Sequence, residues 1–98
     1  MEKKYKLTEE TINVCGRTLH RIEALINFDD VEKGDKGGFA EKEDNLSQSG
    51  DCWIYGDAKV CDNAVVCDNA EVFGKAMVYD NAEIYGDREV HGNEKVGE

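Results

Sequence analysis

The sequence predicts an all-β chain, a short parallel β-helix of hexapeptide repeats with an N-terminal β-hairpin cap. Three observations predict it. An aliphatic residue returns at every sixth position, as Ile54, Val60, Val66, Val72, Val78, Ile84, Val90 and Val96. Four positions after the first five of these stands an alanine: Ala58, Ala64, Ala70, Ala76 and Ala82, before the pattern decays to Arg88 and Glu94. Two positions after each of the first seven stands Gly or Asp: Gly56, Asp62, Asp68, Gly74, Asp80, Gly86 and Gly92. A period of six fits neither a 3.6-residue helix nor simple alternation. It fits a strand of a few residues followed by a tight bend. Val and Ile suit a buried pleated wall. Gly, Asp and Asn tolerate the left-handed backbone of a corner, and Ala fits where the turning chain leaves little room.

Three hexads close a triangular coil of about 18 residues, and coils stack about 4.8 Å apart through parallel backbone hydrogen bonds. Adding 18 gives the interior columns: Ile54–Val72–Val90, Val60–Val78–Val96 and Val66–Ile84. The residue after each aliphatic points outward, giving the columns Tyr55–Phe73–His91, Cys61–Tyr79–Gly97 and Cys67–Tyr85. Tyr55, Phe73, Tyr79 and Tyr85, with Val96 at the last coil, are the candidate interface, because aromatic side chains anchor protein contacts.

Residues 1–30 read as the cap. Ile12 and Val14 alternate before Cys15-Gly16, and Ile22, Ala24, Ile26 and Phe28 alternate after it, which favours two strands around a turn. Leu19, Ile22, Leu25 and Ile26 also satisfy helical spacing, so a helix over 18–27 is the competing reading. Residues 31–53 are rich in Gly, Asp and Ser, with isolated Val31, Phe39, Leu46 and Trp53, and read as an irregular first coil leading into the regular coils of 54–98. The hairpin, with Trp53 or Phe39, is expected to plug the N-terminal end, where an open sheet edge would invite aggregation. The opposite end is left for a partner subunit to close.

The chain has 98 residues and a net charge of −10, divided as −3 over residues 1–50 and −7 over 51–98. That balance argues against binding a phosphate backbone or an anionic membrane directly, since either needs a basic face. No apolar run of transmembrane length and no signal-peptide pattern is visible, so a cytoplasmic setting is expected. The four cysteines, Cys15, Cys52, Cys61 and Cys67, form no C-x-x-C pair, and His20 and His91 lie far apart, so free thiols and no metal site are expected. KGDKGGF at 33–39 lacks the P-loop pattern, and the corner Asp and Asn residues lack the calcium-binding nonapeptide.

The eight aliphatics and five alanines of residues 54–96 resemble the hexapeptide-repeat family, whose β-helices are left-handed; the handedness comes from the resemblance. The segments KYKLT, RIEAL, KGDKGGF, NLS and CWIY, followed by the hexads, also resemble a family of small bacterial and prophage proteins. That family usually carries Tyr after the aliphatic, where this chain has Cys61, Cys67 and His91. It implies the fold and no general activity.

The leading expectation is a non-enzymatic, acidic binding protein of phage or prophage type, acting in the bacterial host cytoplasm without a cofactor. It would form a homodimer through its aromatic columns, or occupy a basic nucleic-acid-binding site on a host defence protein such as a CRISPR effector. The corner carboxylates Asp57, Asp62, Asp68, Asp80 and Asp87 are the candidate acidic surface. The alternatives are an acyltransferase, as many hexapeptide proteins are, and a purely structural self-assembling β-helix. For acyl transfer His91 is the sole candidate base in the repeat, at an outward position, and His20 has a lesser claim.

Overall fold

A computed structural model of the chain describes residues 3–97. Eleven strands and one 3₁₀ turn (Glu43–Asn45) make up the described residues, with no α-helix and hence no helix long and apolar enough to cross a membrane. The strands are β1 (Tyr5–Val14), β2 (Arg17–Ala24), β3 (Lys36–Ala40), β4 (Trp53–Ile54), β5 (Lys59–Val60), β6 (Val65–Val66), β7 (Glu71–Val72), β8 (Met77–Tyr79), β9 (Glu83–Ile84), β10 (Glu89–Val90) and β11 (Lys95–Gly97). From β3 onward they pair with one another only in parallel and wind a three-sided β-solenoid. One face stacks β3-β5-β8-β11, a second β4-β7-β10, and the third β6-β9, which Leu46 extends by a bridge to Val66.

The interior columns follow the hexad arithmetic. Ile54 registers on Val72 and Val72 on Val90; Val60 registers on Val78 and Val78 on Val96; Val66 registers on Ile84. All of these but Val96 are fully buried, as are the five corner alanines. Each corner closes on itself, as in Ala58 N–H to Tyr55 O (3.2 Å), Ala64 to Cys61 (3.2 Å) and Ala82 to Tyr79 (3.2 Å). The Gly or Asp of every hexad is the residue that takes positive φ there, from +57° at Asp80 to +73° at Gly74. That requirement restricts the position to residues that tolerate the left-handed region.

The first coil is longer than the others. Ala40 pairs with Val60 and Leu46 bridges to Val66, each 20 residues on, whereas Trp53 pairs with Glu71 at the regular 18. The two extra residues lie in the corner between Leu46 and Cys52, and that corner anchors the N-terminus. Gln48 Oε1 accepts from the backbone N–H of Lys4 (2.7 Å) and Tyr5 (3.3 Å). The buried Lys4 ammonium donates to Cys52 O (2.7 Å) and Gly50 O (3.2 Å) and lies 4.9 Å over the Phe28 ring. Desolvation lowers its pKa from the usual lysine value. The Tyr5 hydroxyl lies 2.6 Å from Leu46 O and 2.7 Å from Glu43 O, and burial pushes its pKa up. Asn45, fully buried, donates to Ala64 O (2.8 Å) and Asp62 O (3.2 Å) and accepts from Lys42 N–H (2.8 Å), so it satisfies two carbonyls of the corner stacked against it in the next coil.

The hairpin is formed rather than the helix over 18–27. Val14 faces Arg17, and the two turn residues Cys15 (φ +51°) and Gly16 (φ +80°) both take positive φ, the requirement of a type I′ turn. It is continuous with the solenoid, since β2 pairs antiparallel with β3 in a sheet ordered β1-β2-β3-β5-β8-β11. A register shift between Leu7 and Thr11 bends it. Its near half, Tyr5, Leu7, Ile22 and Ala24, plugs the end of the solenoid core as the sequence predicts. Its far half folds over the outer side of the first face, where Ile12, Val14 and Leu19 pack with Phe39, Cys61, Met77 and Tyr79 in a second cluster.

Gly37 and Gly38 allow β3 to lie against the second coil. A Cβ at Gly38 would stand 2.5 Å from Ile54 Cγ2 and 2.6 Å from Ala58 O, and one at Gly37 2.5 Å from Ile54 O. Gly37 and Gly38 of KGDKGGF therefore serve packing, while Gly34 takes φ +94° in the turn before β3.

Candidate acid-aromatic binding face

The outward column of the second face forms a ladder of three rings. Tyr55 and Phe73 meet edge to face at 6.5 Å between centroids, and Phe73 and His91 stack at 5.5 Å with 19° between planes. Alongside runs the column before the aliphatics. There Glu71 and Glu89 lie in register on neighbouring parallel strands, which places like charges directly opposite each other.

A third group of carboxylates reaches this face from the loop after β2. Phe28 and Val31 exchange both backbone hydrogen bonds (2.9 and 2.7 Å), with Asp29 at φ +48° between them. Phe28 packs edge-on against Trp53 at 5.2 Å, and Val31 is buried. The tip is thereby fixed so that Asp30 Oδ1 lies 3.1 Å from the Tyr55 hydroxyl, which also sits 3.3 Å from Glu71 Oε2. One phenol proton thus serves two carboxylates. Asp30, Tyr55, Glu71 and Phe73 line an open depression of about 290 Å³. Partial desolvation raises the Glu71 carboxyl from its usual value, as do the charges of Glu89, Asp30 and Asp29, while the Tyr55 hydrogen bond opposes them. Burial and the two neighbouring acids push the Tyr55 hydroxyl up.

Several carboxylates elsewhere have cationic neighbours, though Asp68, Asp80 and Asp87 form no ion pair among the described residues. Arg17 pairs with Glu41 (3.0 Å) and Asp62 (2.6 Å), Arg21 with Glu10 (3.0 Å) and, at 4.0 Å, Asp57, and Lys3 with Glu43 (3.1 Å). Among the described residues no ion pair reaches Asp29, Asp30, Glu71 or Glu89.

The sequence-selected residues divide accordingly. Tyr55 and Phe73 share the ladder. Tyr79 lies on the first face, half-buried beside the hairpin, and Tyr85 is, among the described residues, alone in being a large exposed apolar residue, 63% exposed. Val96 is half-buried at the last coil. Of the corner acids, Asp62 and Asp68 accept backbone N–H groups of the next coil, Asp80 (2.9 Å) and Gly86 (3.0 Å), while Asp57, Asp80 and Asp87 are exposed. His91 is exposed, with Nε2 3.6 Å from Glu94 Oε1. His20 Nδ1 lies 2.9 Å from Thr8 O and ties the bend of the hairpin. Glu71 and Glu89 were within reach of sequence reasoning, being 18 apart beside the aromatic column. Asp29 and Asp30 were not, because an irregular loop carries them to the face.

A second concave region lies between the hairpin tip and the first face. Val14, Cys15, Arg17, Cys61, Asp62, Met77, Tyr79 and Lys95 border this groove of about 290 Å³. Cys61 points outward, as the register requires, yet the hairpin buries it, and desolvation foremost pushes its thiol up to about 11. All four cysteines are free, with Cys15 exposed, Cys67 half-buried and Cys52 and Cys61 buried. A thiol reagent should therefore modify Cys15 at once, Cys67 slowly, and Cys52 and Cys61 only after denaturation. Rapid loss of the Cys61 thiol in folded protein would mean that the hairpin does not cover it. Among the described residues no three His, Cys, Asp or Glu side chains converge as metal ligands.

No protein-family model matches the chain. Part of it is 36% identical, over 61 residues, to a protein of Escherichia coli (strain K12) named as the uncharacterized acetyltransferase YdcK. The match covers 54% of this chain and 19% of the relative's length.

Proposed function

We propose that the chain is a non-enzymatic binding protein that presents its acid-aromatic face to a basic protein partner. The observation that carries this reading is the cluster Asp29, Asp30, Glu71 and Glu89, set beside the Tyr55–Phe73–His91 ladder without a cation paired to it among the described residues. Holding like charges in register costs stability, and a cationic partner relieves that cost while burying ring surface. The motifs KYKLT, RIEAL, NLS and CWIY support placing the chain with small prophage proteins, and the net charge of −7 over residues 51–98 supports a role against a basic site on a host protein in the bacterial cytoplasm. Self-association through the same rings, giving a homodimer, is the other use of this face.

Acyl transfer is the second reading, carried by the likeness to YdcK. Its place would be the groove under the hairpin tip, with Arg17 and Lys95 at the rim. Against it, His91 lies on the aromatic ladder and not in that groove.

Calorimetric titration of the full chain separates the two. A mixed Lys/Arg peptide should bind and should weaken steeply between low and high salt, because exposed charges are screened beyond about 8 Å at physiological salt. Acetyl-CoA should give no saturable heat. Saturable acetyl-CoA binding with no response to the peptide would replace this reading with the second.

A further inference from the structure

We infer that the depression between Tyr55 and Phe73 is an arginine-selective cradle, which reads a guanidinium group on a partner protein in preference to a lysine ammonium. The inference rests on the proposed binding role and narrows it to one kind of side chain.

The geometry favours a flat cation. Phe73 stands at the centre of the ladder, edge-on to Tyr55 and stacked on His91, and its neighbour Tyr55 forms the other wall of the depression. A guanidinium is planar and delocalised, sheds water more readily than an ammonium, and stacks on aromatic faces. Carboxylates border the same space. Asp30 and Glu71 both reach the Tyr55 hydroxyl and line the depression with Phe73, and among the described residues neither is paired to a protein cation. A guanidinium offers five N–H donors in a fixed fork, enough to serve two carboxylates while its plane lies on a ring. An ammonium is a compact, strongly hydrated charge that gains less from the rings. The molecule itself uses this pairing elsewhere: the Arg21 guanidinium lies 4.2 Å from the Phe39 ring centroid while its Nε donates to Glu10 (3.0 Å). The second face repeats those components, a ring flanked by carboxylates, with the cation missing among the described residues. Charge complementarity therefore selects a basic protein segment over an acidic second copy of this chain.

The test compares a short Gly-Ser peptide bearing three arginines with its three-lysine counterpart, each titrated into the full-length protein. The arginine peptide should bind about three- to fivefold more tightly, the equivalent of one exposed cation–π contact. Phe73→Ser should reduce the arginine peptide to the lysine level, and Glu71→Gln should weaken both peptides. Phe73→Leu, which retains apolar packing, covers the case in which Phe73→Ser disturbs the fold, and it should lose the preference equally. Equal affinities, or a preference that survives both Phe73 variants, would overturn the cradle while leaving acidic binding standing. Failure of both peptides to bind would overturn the cradle and the binding role together. A concentration-dependent dimer dissolved by Phe73→Ser would also overturn it, by assigning the rings to a second copy.

Discussion

Val72→Asp should unfold the protein. Val72 is fully buried in the middle of the Ile54–Val72–Val90 column. A carboxylate there would have apolar side chains above and below and no partner, at a cost of several kcal/mol, roughly the whole stability of a small domain. Far-UV circular dichroism should show loss of the β signal at room temperature, or a transition moved far down in temperature. Phe73→Asp, one residue further on, places its carboxylate on the outer side and should keep the signal. Should the two variants behave alike, the in-out register of the second face would be wrong.

Trp53→Ala should be the most damaging truncation. Trp53 is only 2% exposed, and its ring meets Tyr5 at 6.2 Å and Phe28 at 5.2 Å, both edge to face. It therefore joins three separate pieces: the first strand of the hairpin, the loop carrying Asp29 and Asp30, and the end of the first coil. Removing a buried Trp side chain costs about 3–5 kcal/mol. For a domain of this size each kcal/mol shifts Tm by about 4–8 °C, so a drop of at least about 12 °C is expected in a thermal melt. Trp53→Phe keeps part of both aromatic contacts and should lose less than half as much. A Trp53→Ala melt within a few degrees of the parent would show that the hairpin and loop are held by other contacts, principally Lys4 and Tyr5.

The solenoid was legible in the sequence because each of its rules is local. Each of the first five hexads carries its own aliphatic, its own positive-φ Gly or Asp and its own inward Ala, and stacking only repeats the unit. The hairpin turn was legible for the same reason, since Cys15-Gly16 separates two alternating runs. The irregular first coil was not. Its 20-residue length depends on where Lys4, Gln48 and Asn45 find partners, and those partners are 17 to 48 residues away in the chain. The cover over Cys61 depends on a bend in β1 that no single residue announces, so an outward position became a buried one. The candidate face was half legible. Its rings and the Glu71–Glu89 pair repeat at 18, while Asp29 and Asp30 arrive through the Phe28–Trp53 contact, which joins segments 25 residues apart.

On the proposed function, a basic partner engages the acid-aromatic face of the solenoid. Backbone amide shifts of isotope-labelled protein, followed by NMR as the arginine peptide is added, test it most directly. The largest changes should fall on Asp30, Tyr55, Glu71, Phe73, Glu89 and His91, with the hairpin tip unmoved. Changes centred instead on Val14–Arg17, Tyr79 and Lys95, or no changes at all at saturating peptide, would contradict it.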